Sequence, residues 1–335
     1  MSEHFRPSFA RPSVVVSKCL GFDACRYNAQ TVPDKFVTDL APYVDYRVVC
    51  PEVEIGLGVP REPIRIVAIA EDDLRLMQPA TMNDVTEEMR AFTQDYLDAV
   101  ADQVDGFILK NRSPSCGLSD VKVYSSTKKG RPLQKTQGFF GGAVRDRFSG
   151  LAIEDEGRLK NKRLRQHFLT KLFALAQLRQ LGNGKAKMAD LVQFHAENKY
   201  LLMGYDQQTL KEMGQLVANT KTASFEELFG AYRQRFQQAL SEPPACGSNI
   251  NVLMHTIGHL KNQLAPAEKA FFLDTLRRYR AAQIPFSVPL NMMKAYVIRF
   301  EEAYLLQQTF FQPFPAALVD LADSGKVPEC FLPEG

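Results

Sequence analysis

The sequence predicts an α/β domain, a mostly parallel sheet with helices on both faces, followed by an all-α domain. Three observations carry that expectation. Strand-like and helix-like segments alternate through the first half, as parallel βαβ units require. From about Leu159 the pattern turns to helix after helix. At 335 residues the chain has room for two domains with separate cores.

The elements follow in order. Ser13–Val16 is a short valine-rich run that ends at Ser17, Lys18 and Cys19. A helix is expected near Pro33–Val44, with Thr31 as its cap. Tyr46–Val49 is the second strand and ends at Cys50, and Ile64–Ala70 reads as the third. Over Asn83–Val104, Val85, Met89, Phe92, Tyr96, Val100 and Val104 recur at helical spacing. Gly106–Leu109 is the fourth strand, and the loop Lys110–Gly117 follows it. Val121–Tyr124 is a further strand candidate, and Gly141 and Gly142 open a short helix. The expected sheet is Rossmann-like.

Beyond it, helices are expected over Leu159–Leu181, Lys187–Met203, Gln207–Asn219, Ser224–Leu240, Ser248–Leu260, Pro266–Ala282 and Val288–Gln308. Gly182–Gly184, Pro243 with Pro244, Leu264–Pro266 and Ile284 with Pro285 break them. The expected domains are therefore residues 1–158 and 159–335.

Composition narrows the class. Apolar residues make up 45% and charged residues 24%, ordinary for a globular chain. No apolar run approaches the roughly 20 residues that span a bilayer. The opening residues lack the apolar stretch of a signal peptide. The expectation is a cytoplasmic protein without membrane attachment, where thiols stay reduced and serve metals or catalysis. Net charge is +3 but unevenly divided: 22 Lys+Arg face 15 Asp+Glu from Arg158 onward, and 19 face 23 before it. A basic second half suits a polyanionic partner, and also an ordinary solvated surface.

The six cysteines form no CxxC pair, which argues against a zinc ribbon or a dithiol redox motif. Cys19, Cys50 and Cys116 each stand just past a strand. In open α/β sheets ligands collect outside the carboxyl ends of the strands. A parallel sheet would gather all three loops at one edge. Three converging thiolates suit a soft metal or an iron–sulfur cluster, and three ligands on a 4Fe-4S cube leave one iron open. Unligated loop cysteines remain the alternative at this point.

The flanking residues carry a resemblance. Ser17–Gly21 with Arg26 and Tyr27, then Cys50, Pro51 and Glu52 with Gly56, Leu57, Pro60 and Arg61, then Ser113–Gly117, together resemble the thiouracil desulfidase family (TudS-like) over about residues 12–158. Gly138, Phe139 and Phe140 belong to the same match. The resemblance implies that Cys19, Cys50 and Cys116 ligate a 4Fe-4S cluster, and that Glu52 and Ser113 are the catalytic side chains. Asn28 and Ala29 depart from the family's Asp-Gly after Arg-Tyr. Ile55 departs from its Gly after Cys-Pro-Glu. Both departures bear on pocket shape.

In the second half, Leu191–His195, Lys199–Met203 and Asn251–His255 resemble a helical domain fused behind the desulfidase domain, the architecture of tRNA 4-thiouridine desulfidases (RudS-like). That likeness implies tRNA as partner and a thiolated uracil as substrate. Free thiouracil or thionucleosides are the alternative substrates, and a non-catalytic iron–sulfur sensor or RNA-binding module is the alternative class.

Other residues have plainer readings. Cys25 is a loop thiol, a spare ligand or a sulfur relay, and Glu54 is a second acid–base candidate behind Glu52. Cys246 and Cys330 are read as structural. His255 and His259, four apart on one helix, lack a third ligand. His195 with Lys199, the group Lys160, Lys162, Arg163 and Arg165, and the group Arg277, Arg278 and Arg280 suit either phosphate contact or a solvated face.

Overall fold

The computed structural model describes residues 9–70, 73–128, 130–218 and 224–319. Cys330 and the chain from Asp320 onward lie outside the described residues. The described chain divides into two compact units, Arg11–Phe168 and the remainder.

The first unit is built on two sheets. The elements run β1 (Ser13–Ser17), α1 (Lys35–Leu40), β2 (Asp45–Val49), α2 (Pro51–Glu54), β3 (Arg65–Ala68), β4 (Leu74–Gln78), β5 (Asn83–Asp84), α3 (Thr86–Val100), β6 (Gly106–Leu109), β7 (Val121–Tyr124), β8 (Gln134–Thr136), α4 (Phe139–Arg147) and β9 (Ala152–Asp155). One sheet has the order β2-β1-β6-β9 and is parallel throughout. Val16 pairs with Val48 on one side and Ile108 on the other. Every residue of β1 and of β6 is buried, as central strands covered on both faces must be. From β1 the chain goes to β2 on one side and returns to β6 on the other. A switch point therefore lies beside β1, the place where such sheets open a crevice.

The second sheet, in the order β5-β4-β3-β7-β8, corrects one expectation. The Ile64–Ala70 segment does not join the parallel sheet. As β3 it pairs antiparallel with β4 and parallel with β7. Ile64, Ile66, Leu76, Val85, Met89, Val121 and Val123 close a core of their own beneath this sheet. Helix α3 contributes the buried stripe Met89, Thr93, Leu97 and Val100, at the spacing of one helix face.

Helix α5 (Lys162–Leu181) follows, and the division between the units falls inside it rather than before it. The second unit is helical as expected: α6 (Met188–Glu197), α7 (Lys199–Tyr205), α8 (Gln207–Ala218), α9 (Phe225–Ala239), α10 (Cys246–His259), α11 (Pro266–Arg280), α12 (Ser287–Arg299) and α13 (Ala303–Leu306). Two expected helices are each broken. Lys187–Met203 parts at Asn198, whose side-chain amide turns back to the Phe194 carbonyl at 2.9 Å. Val288–Gln308 parts after Arg299, where Glu301 adopts φ +48°. No helix among the described residues is long and apolar enough to cross a membrane.

Candidate functional site

Cys50, Cys19 and Cys116 follow β2, β1 and β6, three neighbouring strands of the parallel sheet. The first loop is held to the sheet by the Lys18 N–H, which donates to the Val49 carbonyl at 2.8 Å. Gly21 turns it back at φ +113°, a conformation glycine adopts without strain. Cys50 caps α2, with Pro51 in the first helical position, where a missing N–H costs nothing.

The third loop is fixed more heavily. Ser113 Oγ accepts from the N–H of Cys116 at 3.1 Å and of Ser115 at 3.3 Å. The first N–H groups of α4, which have no partner within the helix, donate to this loop: Gly138 to the Gly117 carbonyl, Phe139 to Pro114, and Phe140 and Gly141 to Ser115. Backbone approaches here so closely that a Cβ on Gly141 would stand 2.4 Å from the Cys116 carbonyl oxygen. That contact explains the glycine at position 141.

Cys25 is buried beside Cys19 and Cys50, and its carbonyl accepts from the Cys50 thiol at 3.8 Å. Its thiol is pushed up to about 11, first by the bond to Cys19, with burial adding and Cys50 opposing. The Cys50 thiol is also pushed far up, by the bond to Cys25 and then by burial. Burial raises Cys116 to about 12. Hydrogen bonds from Ser17 and Ser115 oppose that rise, and the charges of Cys50 and Glu52 reinforce it. With the protein's own groups alone these thiols stay protonated. Thiols gathered at one sheet edge near a carboxylate suit a thiophilic, positively charged group, whose binding would release their protons. Among the described residues no three His, Cys, Asp or Glu side chains are gathered tightly enough for a single metal ion. A 4Fe-4S cube, which binds each cysteine at a separate corner, asks for a wider set.

Glu52 is clamped from two sides. Arg61 donates to its Oε2 from Nη2 at 2.6 Å and Nε at 3.0 Å, and Ser115 Oγ donates to its Oε1 at 2.7 Å. The Arg61 side chain is 3% exposed and that of Glu52 14%. Arg61 also donates to the Cys25 carbonyl at 2.9 Å. Ser113 does not touch Glu52; it reaches it through Ser115, 2.9 Å from its own hydroxyl. Sequence reasoning thus missed Arg61, Ser115 and Ser17 as site residues, although all three stand in the quoted motifs. Residue type alone gives a buried serine or arginine no role until its partner is known.

Other candidates resolve differently. Glu54 is exposed on the far turn of α2. His259 Nε2 bonds the Tyr200 hydroxyl at 2.8 Å and its ring stacks on Tyr304, while His255 is exposed. His195 Nδ1 meets the Tyr232 hydroxyl at 3.3 Å. Arg165 donates to the Leu159 carbonyl and lies over Phe36, a packing role. Arg277, Arg278 and Arg280 are exposed in the last turn of α11, where cations also offset the helix dipole.

A parallel α/β sheet with cysteines past three adjacent strand ends, and a fixed carboxylate beside the second of them, defines a thiol-rich site at a switch point. Comparison with known proteins carries this further. Residues 14–156 match the family model of 2-thiouracil desulfurase. An uncharacterised protein of Bacillus subtilis (strain 168), YbbK, is 32% identical over 127 residues, covering 36% of this chain and 82% of that protein. The chain belongs to the 2-thiouracil desulfurase family. Residues 199–315 match a second model, described as a protein of unknown function (DUF1722). The uncharacterised protein YbgA of Escherichia coli (strain K12) is 27% identical over 158 residues, 47% of this chain and 93% of that one. A solved 4Fe-4S-dependent thiouracil desulfidase, TudS, is 25% identical over 44% of this chain and 93% of its own, with a TM-score of 0.36.

Proposed function

We propose that this protein is a desulfidase that converts 4-thiouridine in tRNA to uridine by hydrolysis without net redox change. One observation carries the reading: cysteines past three neighbouring strands, beside a clamped glutamate, in a chain of the 2-thiouracil desulfurase family. The choice of RNA is supported by the basic second half and by the likeness to the fused tRNA desulfidases.

Cys19, Cys50 and Cys116 would hold the 4Fe-4S cluster. Bound through three cysteines, it supplies an open, soft Lewis acid suited to a thiocarbonyl sulfur. The side chains do the rest. Glu52 takes a proton from water as the water oxygen bonds the ring carbon bearing sulfur. The resulting hydroxyl adduct loses its O–H proton to solvent and reforms the carbonyl as the C–S bond breaks, its electron pair leaving with sulfur, to which Glu52 returns the first proton to give hydrosulfide. Arg61 keeps the carboxylate aimed, and the chain Ser113–Ser115–Glu52 gives the proton a path to a hydroxyl that can hold the uracil or the water.

The test is anaerobic reconstitution with iron and sulfide, followed by quantification of 4-thiouridine in treated tRNA and of released sulfide. Equal loss of sulfur from tRNA and from free thiouracil would favour the small-molecule reading, which the family's description supports. Sulfide from neither substrate would favour a non-catalytic sensor, for which Cys25, beside Cys19 and Cys50, is the nearby candidate for a fourth ligand.

A further inference from the structure

A basic surface stands on the first unit, beside the Cys116 loop. An open groove of about 490 Å³ is lined by Arg65, Arg112, Pro114, Lys122, Tyr124 and Lys135, among others. A second, of about 420 Å³, shares Arg112 and Asp120 with it and continues to Arg158 and Lys160. Arg112 therefore sits where the two meet. It is exposed, one residue before Ser113.

The placement of these cations is costly for the fold itself. Strand β7 alternates, burying Val121 and Val123 and turning Lys122 outward. In the register of β7 with β8, Lys122 lies directly opposite Lys135. On the other side Ile66 pairs with Val123, so Arg65 falls into the same row. Like charges in facing positions on neighbouring strands destabilise a sheet. Asp120 offsets only part of this, pairing with Lys135 at 2.6 Å. Among the described residues, Arg65, Arg112 and Lys122 form no ion pair. Arg65 is stacked over the Tyr124 ring at 4.5 Å, which holds a planar guanidinium at the groove wall. A stacked guanidinium with a row of lysines is the chemistry that recognises phosphates along a nucleic-acid strand.

We propose that this row seats the sugar-phosphate backbone of the substrate RNA strand next to the nucleotide being processed. Phosphate binding then belongs to the unit that carries the cysteines, and is not delegated wholly to the basic helical unit. The inference rests on the reading that RNA is the substrate.

The experiment uses the full-length protein and an unmodified tRNA transcript, with affinity followed by fluorescence anisotropy over a salt series. The Arg65→Gln/Lys122→Gln variant should bind about tenfold more weakly, with a salt slope reduced by roughly 1 to 2, since each phosphate contact contributes about 0.7–0.9 to that slope. Its turnover of free thiouracil should stay within about twofold. Relief of the facing charges means Lys122→Gln alone should melt no lower than the parent, which separates a binding loss from a folding one. Parent affinity and slope in the double variant, with loss instead in Arg277→Gln/Arg278→Gln/Arg280→Gln, would overturn the groove while leaving the tRNA reading intact. Competition by inorganic phosphate as strong as by RNA of equal phosphate content would overturn it as a strand site. A parent protein that shows no salt-dependent binding to the transcript would overturn both readings.

Discussion

The two units use their polar side chains differently. In the first, beside bonds that serve the fold, such as the Ser13 N–H onto Asp105 and the Leu76 N–H onto Thr86, one group gathers at the cysteine edge: Arg61 and Ser115 onto Glu52, and Ser115 onto Cys116. In the helical unit they mend broken helices. Asn198 accepts from Thr309 at 2.8 Å, and Gln308 accepts from the Tyr200 N–H and donates to the Ala196 carbonyl. Buried polarity alone therefore does not mark a site. A network that ends on backbone groups completes a fold, whereas the one that ends on Glu52 and Cys116 lies where the proposed chemistry would sit.

The largest effects are expected at the thiols. Cys19→Ala, Cys50→Ala and Cys116→Ala should each abolish the visible absorbance of reconstituted protein along with sulfide release, while Cys25→Ala keeps most of both. Full iron content in any of the first three removes that residue from the ligand set. Next, Glu52→Gln should retain iron and lose about 10²–10⁴ in turnover, the usual worth of positioned acid–base help. Turnover within a few-fold of the parent would strip Glu52 of the proton role.

A step smaller, Arg61→Met should destabilise the first unit by about 3–5 kcal/mol, because it leaves the Glu52 carboxylate buried without its partner. Urea denaturation measures this, and a charge-neutral pair, Arg61→Met with Glu52→Gln, should recover much of it. Gln308→Ala should cost about 1–3 kcal/mol through the unpaired Tyr200 N–H, with iron content and turnover per folded molecule unchanged. Lost turnover there would mean that the helical network also serves the chemistry.

The smallest effect concerns pH. Burial, and then Lys199, hold His195 below its usual range, so the unfolded chain takes up its proton first as pH falls. Its neutral form contributes stability that is present above the ordinary histidine range and fades as pH drops through it. Melting temperatures at pH 7.5 and 5.5 should therefore differ less in His195→Gln than in the parent.

Much of the site was legible because strand ends are legible. The valines of β1 and the fully buried β6 mark their own termini, and Cys19 and Cys116 follow them. What four residues cannot encode is a partner. Arg65–Ala68 has the apolar content of a sheet strand whichever sheet it enters, so the sequence does not show that β3 belongs to the second one. Arg61 and Ser115 escaped for the same reason: each gains its role from Glu52, nine and 63 positions away. The break at Asn198 was hidden because apolar periodicity runs through it, and its compensation comes from Thr309.

The hydrogen bond from Gly138 to Gly117 has a consequence for how such a chain can change over time. It closes a neck at 2.7 Å, through which residues 118–137 leave the cysteine loop and return to it. Hairpin β7–β8, with Lys122 and Lys135, lies entirely within that excursion. Val121 and Val123 anchor β7 in the core, whereas the outward positions, Lys122 and Lys135 among them, can be recharged without moving Cys116. What the protein brings to its edge can therefore diversify while the chemistry at that edge is inherited unaltered.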